Sequence, residues 1–452
     1  MIGSVRAYRL AVLLVLVAAT QASVEPLQAA SAENGKVTGA GTGAALFDGG
    51  PEAAAVEVRV GQGGILARAS RFPCRSCHGR DGFGGREGGT AIPAIDPSVL
   101  AVPSPRRPAY DVASFATVLR EGIDPTGRRL DPVMPRYRLT GVEAAELMAR
   151  LTTMARHERT GVTSDSVTLG IPSSADPSLV AAFRRAWTER GDPRLFGRRL
   201  ATISIQPAAE DPPVLAALFD VGPFSKGGSD LADPRRPLGV PSLFPFRPLD
   251  GGEDPERVRG LFASRADQAA VLLQAAPANA LILVDQAARA LIDPILASRS
   301  EARPVVLLEE LVQPCEASAA VVMAGRSGWQ ALAAGQQLTA KTTVYGSIDD
   351  AAGVLRVLQS KGVPLILVDP RPVQQPWRQD RPALERFATT AAEVLEEVLA
   401  AAGRTLTRGS LSRAFARLAL KPVDWPALDY ASAPLTGSRE VRLIRVGERG
   451  PE

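Results

Sequence analysis

The sequence predicts a multi-domain chain in which a helical N-terminal domain precedes a two-lobed, doubly wound α/β part. Three observations predict this. At 452 residues and 45% hydrophobic content the chain can bury two or three cores of ordinary size. Capped helical patterns lie between residues 36 and 156, and short apolar runs alternate with helices after residue 166. Between them "HERTGVTSDS", residues 157–166, is polar and has no apolar period, which makes it the expected linker. The expected organisation is a signal at 1–32, a first domain at 36–156, the linker at 157–166 and the α/β domain at 167–448.

The first 32 residues read as an export signal. "MIGSVRAYR" is a short positive region, "LAVLLVLVAA" an apolar core too short to span a bilayer comfortably, and small residues follow. Cleavage after Ala22, Ala30 or Ala32 fits equally, and an uncleaved anchor is the competing reading. Either way the remainder is expected outside the cytoplasm, in the periplasm, with no later span apolar enough to cross a membrane. Basic and acidic residues nearly balance, 52 against 48, with the arginines scattered, and aromatics make up only 5%. This gives no footprint for nucleic acid.

The chain has three cysteines and two histidines, and three of these five fall in "RFPCRSCHGRDGFGG", residues 71–85. Zinc needs four ligands, or three and water, which this inventory cannot supply at usual spacings. A redox dithiol opens the helix of a thioredoxin-like unit, yet no apolar strand precedes Cys74 and Cys77. C-x-x-C-H is the attachment signature of c-type haem, with two thiols for the vinyl groups and His78 for the iron. Among the methionines, Met134 lies in a loop between Pro132 and Pro135, where a fixed backbone leaves the thioether able to reach an iron. Thr140 and Glu143 then form a capping-box pattern that opens a helix, and Met148 and Met154 within it read as packing residues. His157 reads as a linker residue just past that helix, with bis-histidine ligation as the alternative.

On "CRSCHG", the helix "DVASFATVLREGIDPTGRRL", "MPRY" and the helix after it, residues 40 to 156 resemble a class I, mitochondrial-type cytochrome c domain. The resemblance implies an all-α domain holding one covalent haem c on Cys74 and Cys77, with His78 and Met134 as axial ligands of the iron. It also implies a single-electron carrier. A periplasmic dehydrogenase, a quinoprotein being one option, would donate the electron, and a downstream cytochrome or oxidase would take it. One departure stands out: the stretch before Cys74 is longer than in small members and contains the strand-like "AVEVRV".

In the second part "VTLGI", "RLATISIQ", "ALILVD", "RPVVLLEE", "TTVYG" and "VPLILVD" read as buried strands, with "PSLVAAFRRAWTERG" and "RADQAAVLLQAAP" among the helices. Such runs imply parallel sheets covered on both faces. With "LFDVGPFSKGGSDLADPRRPLGVPSLFPF" and the tail "LDYASAPLTGSREVRLIRV", residues 165–448 resemble periplasmic solute-binding proteins of the branched-chain amino acid receptor type. This implies a type I periplasmic-binding-protein-like fold, a closing hairpin in the tail, and a small-molecule solute held near Ser173, Ser174, Ser225 and Ser229. The competing reading is that these serines only cap helices. Only "PAAEDPP" separates the second and third strands, where the family inserts a helix, so the first lobe is abbreviated. The module carries an alternative function, a ligand sensor or transport-associated binding protein whose haem domain responds to solute occupancy. Neither histidine is placed to serve as a catalytic base, and Met134 on the iron would close the site to haem-enzyme chemistry, so no enzymatic activity is expected; a haem enzyme with an open coordination site is the alternative. Cys315 reads as a buried thiol, with intermolecular pairing second.

Overall fold

A computed structural model describes residues 41–87, 89–206, 212–219, 239–299, 303–311, 313–335, 337–371 and 383–446. The expected export signal, Ser225 and Ser229 lie outside the described residues. No helix among the described residues is long and apolar enough to cross a membrane.

The first part contains α1 (Thr42–Asp48), β1 (Glu57–Val60), β2 (Ile65–Arg68), α2 (Cys74–His78), β3 (Gly85–Glu87), β4 (Thr90–Ile92), α3 (Pro97–Leu100), α4 (Val112–Glu121), β5 (Arg136–Tyr137) and α5 (Gly141–Glu158). Helix α1 crosses α5 at Gly43, where any side chain would strike the Glu146–Leu147 backbone; the Gly43 N–H donates to Glu146 Oε2 at 3.2 Å. Arg150 closes the same crossing on Asp48 at 2.8 Å. Leu46, Phe47, Phe115, Leu119, Leu147 and Leu151 form the core beneath. Helix α5 starts at the expected capping box: Glu143 N–H donates to Thr140 Oγ1 at 3.2 Å, and Thr140 N–H to Glu143 Oε2 at 2.7 Å.

Two expectations for this part are corrected. The domain is not all-α. "AVEVRV" and "ILAR" fold as the hairpin β1–β2, turned by Gly61 and Gly64 at φ of 69° and 63°. Strand β5 joins the other edge of β1, with Val58 opposite Tyr137, so the order is β2-β1-β5. The stretch before Cys74 is thus the scaffold on which the chain after Met134 is laid. A second hairpin, β3–β4, follows α2. His157, expected just past the helix, lies inside the last turn of α5, because helical hydrogen bonding continues to Glu158.

The α/β part follows with β6 (Ser166–Pro172), α6 (Pro177–Glu189), β7 (Arg199–Ile205), β8 (Ala216–Leu218), β9 (Ser242–Leu243), β10 (Val258–Arg259), α7 (Arg265–Ala275), β11 (Leu281–Val284), α8 (Gln286–Ala297), β12 (Val305–Leu307) and β13 (Ala319–Met323). Then come α9 (Arg326–Ala334), β14 (Thr343–Ser347), α10 (Ile348–Ala351), α11 (Leu355–Ser360), β15 (Leu365–Asp369), α12 (Ala383–Ala402), α13 (Arg408–Phe415), β16 (Ala419–Leu420), β17 (Leu428–Asp429) and β18 (Arg442–Val446). They build two sheets, a parallel one in the order β10-β9-β8-β6-β7 and a mixed one in the order β12-β11-β13-β14-β15-β18.

The second sheet is buried on both faces, as its near-continuous apolar strands require. Leu283, Val322 and Leu367 pack with Trp329 on one face, and Ile282, Val321 and Val368 pack with Leu272 and Leu273 on the other. Cys315 is buried against the first of these clusters. In the first sheet Val167, Leu169 and Ile171 alternate onto one large cluster with α6 and α12, where the Phe219 ring meets Phe183 edge-on at 5.4 Å and Phe387 tilted at 6.3 Å. Its other apolar cluster is small, with Ile205, Val214 and Ala217 at its centre. This follows from the β7-to-β8 connection, which carries no helix among its described residues.

The tail also differs from expectation. Instead of closing as one hairpin, β17 pairs with β16 and β18 runs antiparallel to β15, Leu367 opposite Ile444. Strand β18 thereby covers an edge of the second sheet that would otherwise expose unpaired backbone groups.

Candidate functional site

Helix α2 begins directly after Pro73, whose fixed φ suits a helix entry. One turn of helix brings Cys74 and His78, four residues apart, to the same side. Both are buried, and Cys77 is half-buried between them. The His78 Nδ1–H donates to the Pro93 carbonyl at 2.8 Å, a pairing that fixes the tautomer because a carbonyl only accepts. Burial lowers the imidazole pKa, against the opposing effect of that carbonyl. The ring is therefore neutral at pH 7, with the Nε2 lone pair free to bind a metal. Burial pushes the Cys74 thiol up to about 12. A low-pKa attacking thiolate of the redox-dithiol kind does not suit such a position.

Met134 reaches the same place by another route. Its loop is folded on Asp131, which accepts the N–H of Val133 on Oδ1 at 2.8 Å and that of Met134 on its carbonyl at 3.2 Å. The Arg136 guanidinium donates to the carbonyls of Met134, Leu130 and Asp131. Pairing of β5 with β1 then anchors the end of the loop. Cys74, Cys77, His78 and Met134 line one cleft of about 550 Å³, whose other walls include Val60, Phe72, Ile92, Leu130 and Tyr137. That volume is in the range of roughly 300–1,000 Å³ typical of cofactor pockets. Two thiols, a neutral imidazole and a thioether on a mostly apolar cleft fit haem c. Met154 is instead in the core and Met148 packs at its edge, while His157 does not line the cleft.

The loop after His78 is held by the α/β part. Arg80 pairs with Glu256 at 2.5 Å, and buried Asp81 pairs with Arg413 of α13 while its Oδ1 accepts the Phe83 N–H at 3.1 Å. Glu158, 2% exposed at the end of α5, accepts the Gly409 N–H at 2.7 Å. Burial first and the Asp81 charge second push its carboxyl up to about 7, against that N–H and the Arg408 and Arg413 guanidinium groups.

Ser173 and Ser174 follow β6 but are exposed. Ser173 donates to Gln206 Oε1 at 3.4 Å, and the cap of α6 is Asp176 rather than a serine. Neither lines the cavity at the strand ends of the second sheet. That cavity, about 380 Å³, lies at the carboxyl ends of β11, β13 and β14, with Asp285, Gly325, Ser347 and Asp350 in its wall. Its sequence signal was a carboxylate or glycine one to three residues past a strand end, in "ILVDQ", "VMAG" and "YGSIDD".

No family model matches the chain, and no curated protein matches it. Solved structures do. A fatty acid ABC transporter substrate-binding protein from Thermomonospora curvata is 13% identical, covering 64% of this chain and 90% of its own, at a TM-score of 0.43. An ABC transporter substrate-binding protein from Desulfitobacterium hafniense in complex with Leu is 12% identical, with 63% and 98% covered and a TM-score of 0.43. A solute-binding protein from Rhodopseudomonas palustris BisB5 in complex with 3,4-dihydroxybenzoic acid is 12% identical, with 61% and 90% covered and a TM-score of 0.42. Likeness at this level carries no ligand over to this chain.

Proposed function

We propose that this chain is an exported, periplasmic monohaem c-type cytochrome that passes single electrons, fused to a solute-binding-like module. The observation that carries the reading is the convergence of Cys74, Cys77, His78 and Met134 on one cleft. Haem c held there supplies a one-electron iron couple. Cys74 and Cys77 would fix it covalently, His78 would present Nε2 with its ring set by Pro93, and Met134 would offer its thioether from the Arg136-held loop. Cys74 and His78 are buried in the cleft, and Cys77 and Met134 are half-buried at it. A dehydrogenase on the donor side and a cytochrome or oxidase on the acceptor side complete the proposed chain.

The test is maturation of the full protein with a cytochrome c assembly system. Haem that stays with the polypeptide on a denaturing gel is the expected result, and haem-free protein overturns the reading. A weak thioether-to-iron absorbance band in the oxidised protein is expected to vanish in Met134→Ala and persist in Met148→Ala.

A second reading, a sensor or transport-associated binding protein whose haem domain responds to solute, is favoured by two observations. The module has its own cavity at strand ends, and the loop after His78 is clamped by Glu256 and Arg413 of that module. The neighbouring solved structures are solute-binding proteins, in keeping with this second reading. A shift of haem midpoint potential on adding a module ligand would support it.

A further inference from the structure

We infer that the cavity of the second lobe takes a primary ammonium on a short alkyl chain, without a carboxylate; the inference rests on the solute-binding reading of the module. In the sheet order β12-β11-β13 the chain leaves β11 to one side and returns to the other. The cavity sits at that reversal, outside the carboxyl ends of the strands, where ligands of open α/β sheets bind.

The helix starts at such a crevice ordinarily attract an anion. Here the protein supplies its own. Asp285 Oδ1 accepts the Ala288 N–H of α8 at 2.8 Å, and Oδ2 accepts the Gly325 N–H at the start of α9 at 2.7 Å. A ligand carboxylate would meet a carboxylate already seated. The cation in the described wall, Arg265, is also engaged, with Asp350 at 3.0 Å and Asp250 at 3.6 Å. Three aspartates against one guanidinium leave the wall with an excess of two negative charges.

Gln268 adds an acceptor. It is 2% exposed, lines the cavity, and donates through Nε2 to the Ala263 carbonyl at 3.1 Å. Its Oε1 has no partner among the described residues. Burial raises the Asp350 pKa, the Asp349 and Asp285 charges add to it and Arg265 opposes it. No three His, Cys, Asp or Glu side chains among the described residues are grouped to hold one metal ion. Leu272, Leu291, Val322 and Met323 supply an apolar wall for an alkyl chain.

The experiment is calorimetric titration of the full-length protein with n-butylamine, 1,4-diaminobutane, butyrate, L-leucine, 4-hydroxybenzoate and calcium chloride. Binding of an amine is expected, weakened at least tenfold in Asp350→Asn and also weakened in Asp250→Asn, whose side chain is 68% exposed and tolerates change. Binding of butyrate, leucine or 4-hydroxybenzoate with no amine binding overturns the inference and leaves the solute-binding reading standing. Calcium binding that is lost in Asp350→Asn overturns it in favour of a metal. Silence with every probe overturns both the inference and the reading it rests on.

Discussion

Glu158 is a carboxyl that the fold holds against its charge, and this makes stability depend on pH in a direction opposite to an ordinary ion-paired acid. Its folded value of about 7 lies above the 4.5 of an unperturbed glutamate. The folded chain therefore binds more protons between those values, so this contribution is intact below pH 4.5 and is lost as pH rises through 7. The total is on the order of 3 kcal/mol. Glu158→Gln keeps an acceptor for the Gly409 N–H and removes the titration. Denaturant unfolding at pH 5 and pH 8 is expected to show the wild type losing stability relative to the variant; parallel pH dependences would contradict the assignment. Arg136 is a positioning residue of the same order of importance, because one guanidinium gathers three carbonyls of the Met134 loop. On the proposed cytochrome reading, Arg136→Ala is expected to weaken the thioether band and let carbon monoxide bind the reduced protein, while covalent haem is retained.

At the scale of elements, what was legible was local. C-x-x-C-H spans a single turn, so sequence spacing and spatial spacing coincide; the same is true of the Thr140–Glu143 box. Strand β13, "AAVVM", was not read, because flanking alanines favour helix and a central strand buried on both faces shows no alternation. "AVEVRV" was read as a strand, but its partners were not, since β5 comes from beyond Met134. The α1–α5 crossing was likewise invisible, for nothing near Gly43 in sequence says that Glu146 lies over it. Gly43→Val is expected to lower the unfolding free energy by about 1–3 kcal/mol. Gly63→Val, at a turn with open space around it, serves as the control and is expected to change little. Equal thermal stability of the two variants would sink the argument from close approach.

For the whole molecule, the informative contacts are those that no spacing rule reaches. Asp285, Gly325 and Asp350 share a wall only because of the order of strands in the sheet, and Ser173 and Ser174, expected from resemblance, are exposed instead. Asp81 and Gly409 meet across the chain so closely that a side chain at 409 would strike the Asp81 carboxylate. Asp81 is 2% exposed and already engaged by Arg413, so it has little room to move. It also sits in the loop that leaves His78, whose carbonyl accepts the Gly84 N–H at 2.8 Å. Strain introduced at Gly409 should therefore travel into the His78 loop rather than dissipate at a surface. Gly409→Ala is expected to destabilise the protein by about 1–3 kcal/mol and, on the proposed cytochrome reading, to shift the haem midpoint potential, read by spectroelectrochemistry. Arg185→Ala breaks an exposed ion pair with Glu385 and is expected to cost no more than about 1 kcal/mol and leave the potential alone. A Gly409→Ala protein with reduced stability but an unmoved potential would show that the two parts are fastened together without being coupled.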